Sequence, residues 1–246
     1  MVRWAQSVLT AALDDLEQGR LDAGQGKLRC ALQMAAHLRQ QPALIDFITA
    51  GAIEEFLWSA LAEFMVERDA TNKHLARIEE ILPSLADAWE AESAEMRKVE
   101  IMLDTRSAWE RLSSLINGRS SQEGIERCAQ TYREIICERR GARILIELRR
   151  FRNQSGRWPG TLEEIRAQLP REALSDSPAW GEVFYEPEPG GFHLYATDPV
   201  SRKDIERLGA RPADPIWPRR GTLQWLQDRQ WDTPQAAGAQ STQRMR

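Results

Sequence analysis

The sequence predicts an α+β protein that is mainly α: a helical bundle feeding one long helix into a small antiparallel sheet. Three observations predict it. Apolar residues recur at helical spacing through most of the chain up to Gln154. The helical pattern stops at a Gly156-Arg157-Trp158-Pro159 run. Beyond that run, two aromatic-rich segments flank a turn rich in proline and glycine, the pattern of a β-hairpin.

The first helix is expected over Ala5, Val8, Leu9, Ala12, Leu13 and Leu16, with Asp14, Asp15, Glu17 and Gln18 facing elsewhere and Gly19 as its C-cap. A second runs from Leu21 to Gln40, with Leu28, Ala31, Leu32, Ala35 and Leu38 as its stripe. Pro42 suits the first turn of a third. That helix carries the stripe Leu44, Ile45, Ile48, Ala52, Phe56, Ala60 and Phe64. Ile53, Leu57, Trp58 and Leu61 widen its buried face, which predicts a central position. A shorter helix holds Leu75, Ile78 and Leu82 before Pro83. Leu85, Trp89, Met96, Val99 and Leu103 keep a helical beat up to a turn around Asn117-Gly118 and Ser120-Ser121. One long helix is then expected from Gln122 to Gln154, with Ile125, Cys128, Tyr132, Ile135, Ile136, Ala142, Leu145, Ile146 and Leu148 on its apolar face. No repeat of fixed period recurs, so a hairpin bundle is expected rather than a solenoid.

Thr161-Leu162-Glu163-Glu164 reads as a capping box, in which hydroxyl and carboxylate satisfy each other's backbone donors. It predicts a short helix from Leu162 to Gln168. Glu182–Tyr185 and Gly191–Tyr195 are the strand candidates, with Pro187 and Pro189 in the loop between them. The polar tail from Thr233 is expected to be disordered.

Composition narrows the function. A hydrophobic fraction of 42% with 28% charged residues is that of a globular chain rather than a disordered one. A net charge of −4 gives no global attraction to nucleic acid or anionic membrane. No window approaches the roughly 18 consecutive apolar residues of a membrane span. Cys128 and Cys137, if on one helix, lie about 13 Å apart along its axis, beyond disulfide reach. With Cys30 they are expected to be reduced and mostly packed.

His37, His74 and His193 have no metal-type partner three or four residues away, so surface or capping roles are expected, with neither metal nor cofactor. The nucleophile elbow, zinc-protease and phosphate-loop motifs are missing. Adjacent carboxylates at Glu54-Glu55, Glu79-Glu80 and Glu163-Glu164 point about 100° apart on a helix, which assigns them to solvated faces and caps rather than to acid/base chemistry. Arg139, Arg140, Arg143, Arg149, Arg150, Arg152 and Arg157 form the densest charge cluster. With Phe151 and Trp158 they could grip single-stranded nucleic acid. The interleaved Glu134, Glu138 and Glu147 instead favour a solvated or partner-facing helix. Arg149, Arg150, Arg152, Trp217, Trp225 and Trp231 are the candidate partner surface, although folding back onto the α+β unit is the preferred reading of the three late tryptophans. Gly156 is read as a left-handed C-cap, Trp158 as packing under the helix end and Pro159 as the stop.

The run Ala142–Arg152, followed by Gly156-Arg157-Trp158-Pro159 and Thr161–Ile165, resembles the soluble part of type II secretion major pseudopilins. There a long helix ends in a Gly-x-Tyr-Pro join and leads to a small antiparallel sheet. Gly191-Phe192-His193-Leu194-Tyr195 is similar to that family's Gly-Phe-x-Leu-Tyr strand. Over roughly residues 20–200 the chain also looks like envelope-associated proteins of planctomycete-type bacteria, in which a helical region precedes the same unit. Leu38–Asp46 is similar to their Leu-x-x-x-Pro-x-Leu-Ile turn. The pseudopilin processing site and long apolar helix have no counterpart between Met1 and Arg246. Thr197–Ser201 offers only Asp198 where calcium takes six or more oxygens, so no calcium site is expected.

The expected organisation is a helical bundle over 1–118, a long helix with a pseudopilin-like unit over 119–231, and a tail over 232–246. The resemblance implies a non-enzymatic interaction or scaffold protein of an envelope or secretion-like assembly, with protein partners. The alternatives are a cytosolic helical adaptor, then a nucleic-acid binder or an unrecognised hydrolase. As written from Met1 the chain is expected in the cytoplasm, or at the envelope if an anchor precedes it.

Overall fold

The first helix, α1, spans Val2–Glu17 and turns at Gly19, whose φ of +74° is the left-handed conformation that glycine adopts without strain. The structure is a computed structural model, and it describes residues 2–41, 44–83, 85, 121–174, 183–196 and 214–217. Helix α2 covers Leu21–Arg39, α3 Leu44–Glu67 and α4 Asn72–Glu79. The long helix, α5, runs from Ser121 to Ser155, 35 residues or about 52 Å. A 3₁₀ turn (Leu162–Ile165) and a single-turn helix α6 (Arg171–Leu174) lead to strands β1 (Val183–Glu188), β2 (Gly191–Ala196) and β3 (Asp214–Trp217). The protein is α+β and mainly α.

Helix α3 is central, as its wide apolar face predicts. Phe47 packs with Cys128, Tyr132 and Ile136, Glu54 meets Arg139, and Arg149 donates to the Met65 carbonyl. These contacts advance together along both chains, so α3 and α5 run parallel. Their close approach has a local cause: a Cβ on Gly51 would lie 2.4 Å from Cγ2 of Thr131. On the other side, Ala5, Ala35, Leu38, Ala50 and Ile53 join α1, α2 and α3 at one end of the bundle.

The strands form one antiparallel sheet in the order β1-β2-β3, with β3 an addition that the sequence pattern did not announce. Glu188 pairs with Gly191 across Pro189-Gly190, and Gly190 takes φ +87°. The strand is therefore longer than expected, because Pro187 lies within β1 opposite Phe192 rather than in the loop. One step from the turn-closing pair on an edge strand, position 187 directs its amide away from the ladder, so proline forfeits no sheet hydrogen bond.

Phe192 and Leu194 alternate inward and Trp217 joins them. All three belong to the same buried cluster as Leu9 and Leu28 of the bundle and Leu145 and Leu148 of α5. The expected bundle and α+β units thus share a core. Each fully buried side chain of this kind stabilises by roughly 1.5–3 kcal/mol.

Four further sequence expectations need correction. Asp15 is not on an outward face: it is 3% exposed and bonded to Lys27 and Arg20. Glu54 is wholly buried rather than solvated. Ile45 and Ile48 are exposed, because α3 turns its Phe47, Ala50 and Ile53 side inward at that end. The element after Thr161 is a 3₁₀ turn rather than an α-helix reaching Gln168. The stripe from Trp89 to Leu103, the turn at Asn117-Gly118 and the tail from Thr233 lie outside the described residues.

Candidate functional site

The joint between α5 and the sheet gathers five residues singled out in the sequence. Gly156 has φ +74° and its amide donates to the Arg152 carbonyl (2.8 Å), ending the helix in a left-handed cap. Trp158 then lies edge-on against Phe192 of β2, ring centroids 4.8 Å apart, while the Arg152 guanidinium lies over the Trp158 ring, 4.7 Å from its centroid. Pro159 is buried, and its carbonyl accepts a 2.6 Å hydrogen bond from the Tyr185 hydroxyl. Burial, with the Glu164 carboxylate adding to it, pushes the Tyr185 phenol up to about 12. Thr161 and Glu164 form the capping box. Glu164 also pairs with Arg157 at 2.7 Å and accepts from the Gly160 amide, and these contacts hold its carboxyl below the usual range. The whole joint is a weld between helix end and hairpin. Beside it lies an open depression lined by Arg152, Arg157, Trp158, Pro187 and Glu188.

The arginine run behaves differently from a solvated or partner-facing strip. Arg139 and Arg140 are buried, and Arg149 is 7% exposed. Arg149 donates to the carbonyls of Met65 and Ala70 and to Asn153, closing the C-terminal end of α3 with a cation where the helix dipole favours one. Arg140 donates to the Ala173 carbonyl and Arg143 to that of Pro83. Arg150 bridges Glu79 and Glu147. Burial raises the Glu147 carboxyl, and Arg150 opposes that shift. Arg149 is therefore a fold residue and offers no partner surface, Arg150 is committed to two carboxylates, and Arg152 is committed to Trp158. Trp217 is 5% exposed, folded back onto the core as preferred. Trp225, Trp231 and Asp198 lie outside the described residues.

Sequence reasoning missed the densest polar node. Both oxygens of Glu54 receive the Arg139 guanidinium, Nε to Oε2 at 3.0 Å and Nη2 to Oε1 at 3.0 Å. Arg39 of α2 also pairs with Oε1, and the Trp58 indole donates to Oε2 at 3.3 Å. The available signal was a carboxylate set between Ile53, Leu57 and Trp58 on a helix apolar nearly all round. His74 takes the capping role, one of the two (surface or capping) expected of the histidines. It accepts from the Thr71 amide at 2.9 Å through Nδ1, and its Nε2 lies 3.1 Å from the Leu16 carbonyl. A backbone amide can only donate and a carbonyl only accept, so the ring carries its proton on Nε2.

Among the described residues no group of three His, Cys, Asp or Glu side chains is placed to hold a metal, and no helix is long and apolar enough to cross a membrane. The chain matches no protein-family model, no curated protein and no solved structure.

Proposed function

We propose that the chain is a non-enzymatic scaffold that holds a protein partner within a bacterial envelope or type II secretion-like assembly. One observation carries the reading: α5 is a single 35-residue helix shared by both halves, packed on α3 along one stretch and welded to the sheet at its end. Such a spine keeps two surfaces at constant separation, which suits a scaffold. The envelope assignment draws on the pseudopilin-like order of long helix, Gly-Arg-Trp-Pro join and antiparallel hairpin.

Intact mass, membrane fractionation and in-cell cross-linking of the native protein test this together. Membrane-fraction cross-links to envelope or secretion components are expected. A protein of 28.1 kDa found wholly in the soluble fraction, with cross-links only to cytosolic proteins, would replace the proposal with the cytosolic adaptor.

A further inference from the structure

The depression beside the joint holds about 330 Å³, the lower end of the range for ligand sites. Backbone forms part of its wall at Gly156 and Gly190, both in left-handed turns. Trp158 and Pro187 supply apolar surface, and Arg152, Arg157 and Glu188 supply charge.

Those charges do not balance. Glu188 pairs with His193 at 3.1 Å and Arg157 with Glu164 at 2.7 Å. Arg152 has no carboxylate partner among the described residues. Its guanidinium lies over the Trp158 ring, and its hydrogen bond, from Nη1, reaches the Val66 carbonyl at 3.5 Å. The ring contact leaves the charge un-neutralised, and a guanidinium carries five N–H donors. The C-terminal dipole of α5 favours a cation in its last turn but offsets only about half a unit of charge. Arg149 adds to the surplus. Burial, and then the charge of Arg152, push the Arg149 guanidinium below its ordinary value, while the nearest oxygen of Asp69 is 4.0 Å away.

The complement of this surface is a single carboxylate on an otherwise neutral or basic segment. Glu188 on the same rim disfavours a run of negative charge such as a phosphate backbone, since like charges set against each other are costly. A small free carboxylate gains one charged contact against the whole loss of its translational and rotational freedom. A residue of a docked chain shares that loss with its neighbours.

We propose that this depression docks an acidic side chain of the protein partner, its carboxylate held by Arg152 and its flanking residues lying on Trp158 and Pro187. That a protein partner exists rests on the scaffold reading; what it presents here rests on the depression alone.

Two-dimensional NMR of the full chain, carrying nitrogen-15-labelled tryptophan, tests this through the Trp158 indole signal, assigned with Trp158→Phe. The probe is the capped peptide Ala-Ala-Pro-Glu-Pro-Ala-Ala, whose prolines keep it extended, with glutamine in place of glutamate as the control. A saturable shift in the low millimolar range or tighter is expected, with the glutamine peptide at least about tenfold weaker. Arg152→Gln should weaken the glutamate peptide by the same factor, and Glu188→Gln should leave it bound at least as tightly. No saturable shift up to about 10 mM, equal binding of the two peptides, or indifference to Arg152→Gln overturns the proposal. So does preferential binding of a single-stranded oligothymidylate at the same signal. If Arg152→Gln lowers the thermal midpoint, the comparison of the two peptides on wild type decides alone. Peptide binding by a protein whose cellular cross-links are all cytosolic overturns the envelope assignment and leaves the dock. Failed peptide binding with envelope cross-links intact does the reverse.

Discussion

Glu54 and Arg139 stand 85 positions apart in sequence and meet as a two-pronged carboxylate–guanidinium pair in the buried seam between α3 and α5. Both are nearly sealed from water, with side chains 0% and 9% exposed. Removing one partner from such a pair leaves the other charge buried and destabilises by about 3–5 kcal/mol. Glu54→Ala is expected to lie in that range by chemical denaturation. Glu54→Leu with Arg139→Met should lose clearly less than the sum of the single changes, because Arg139 is no longer left buried against an apolar group and, of the two guanidiniums, only Arg39 loses its contact with Glu54.

Gly51 tests the parallel packing of the same helices. An added methyl would meet Thr131 Cγ2 at 2.4 Å in a wall of packed side chains. Gly51→Ala should therefore destabilise by about 1–3 kcal/mol, against the gain that alanine normally brings to a helix. Thr131→Ala in the same molecule removes the obstructing methyl and should recover most of the loss, read as a coupling energy in a double-mutant cycle.

The Tyr185 hydroxyl ties β1 to the joint by donating to the Pro159 carbonyl at 2.6 Å. A phenolate cannot donate. The folded-state value, about 12, is above the unfolded one, so this contribution is complete below about pH 10 and is lost as pH rises toward 12. Tyr185→Phe is expected to lower stability by about 0.5–1.5 kcal/mol at neutral pH. The gap between variant and wild-type melting should shrink across that alkaline window.

Asp15 predicts the opposite dependence. Its hydrogen bond from Lys27 (2.6 Å) and its contacts with Arg20 hold the carboxyl below its ordinary value. Stability from a depressed carboxylate is present above the unfolded value of about 4 and lost as pH falls through the folded one. Asp15→Asn should melt earlier than wild type at pH 7, and the two curves should converge in acid below about pH 4.

Much of this fold was legible in periodicity. The limits of the first three helices, the long α5, the capping box at Thr161 and Glu164, and the presence of the hairpin all follow from spacing and turn chemistry. What escaped was set by neighbours distant in sequence. Asp15 and Glu54 look like surface carboxylates until Lys27 and Arg139 approach them. The arginine run looks like a cationic strip until the ends of α3 and α6 present carbonyls to Arg149 and Arg140. Period also shows that a stripe is apolar without showing which stripe the core will use, and α3, apolar almost all round, placed Ile45 and Ile48 on the open side. At the joint the local signal sufficed, since Gly156, Trp158 and Pro159 depend on each other and on one strand.

The core shared by bundle and sheet bears on how the chain is made. Leu9 and Trp217 lie in one buried cluster, about two hundred residues apart. At roughly 5–20 residues per second, the apolar face begun by α1 waits about 10–40 s on the ribosome before its last strand exists. For about the last 3–14 s of that interval Leu145, Leu148 and their neighbours lack their final cover, and holding chaperones have a timed opportunity that closes when β3 docks.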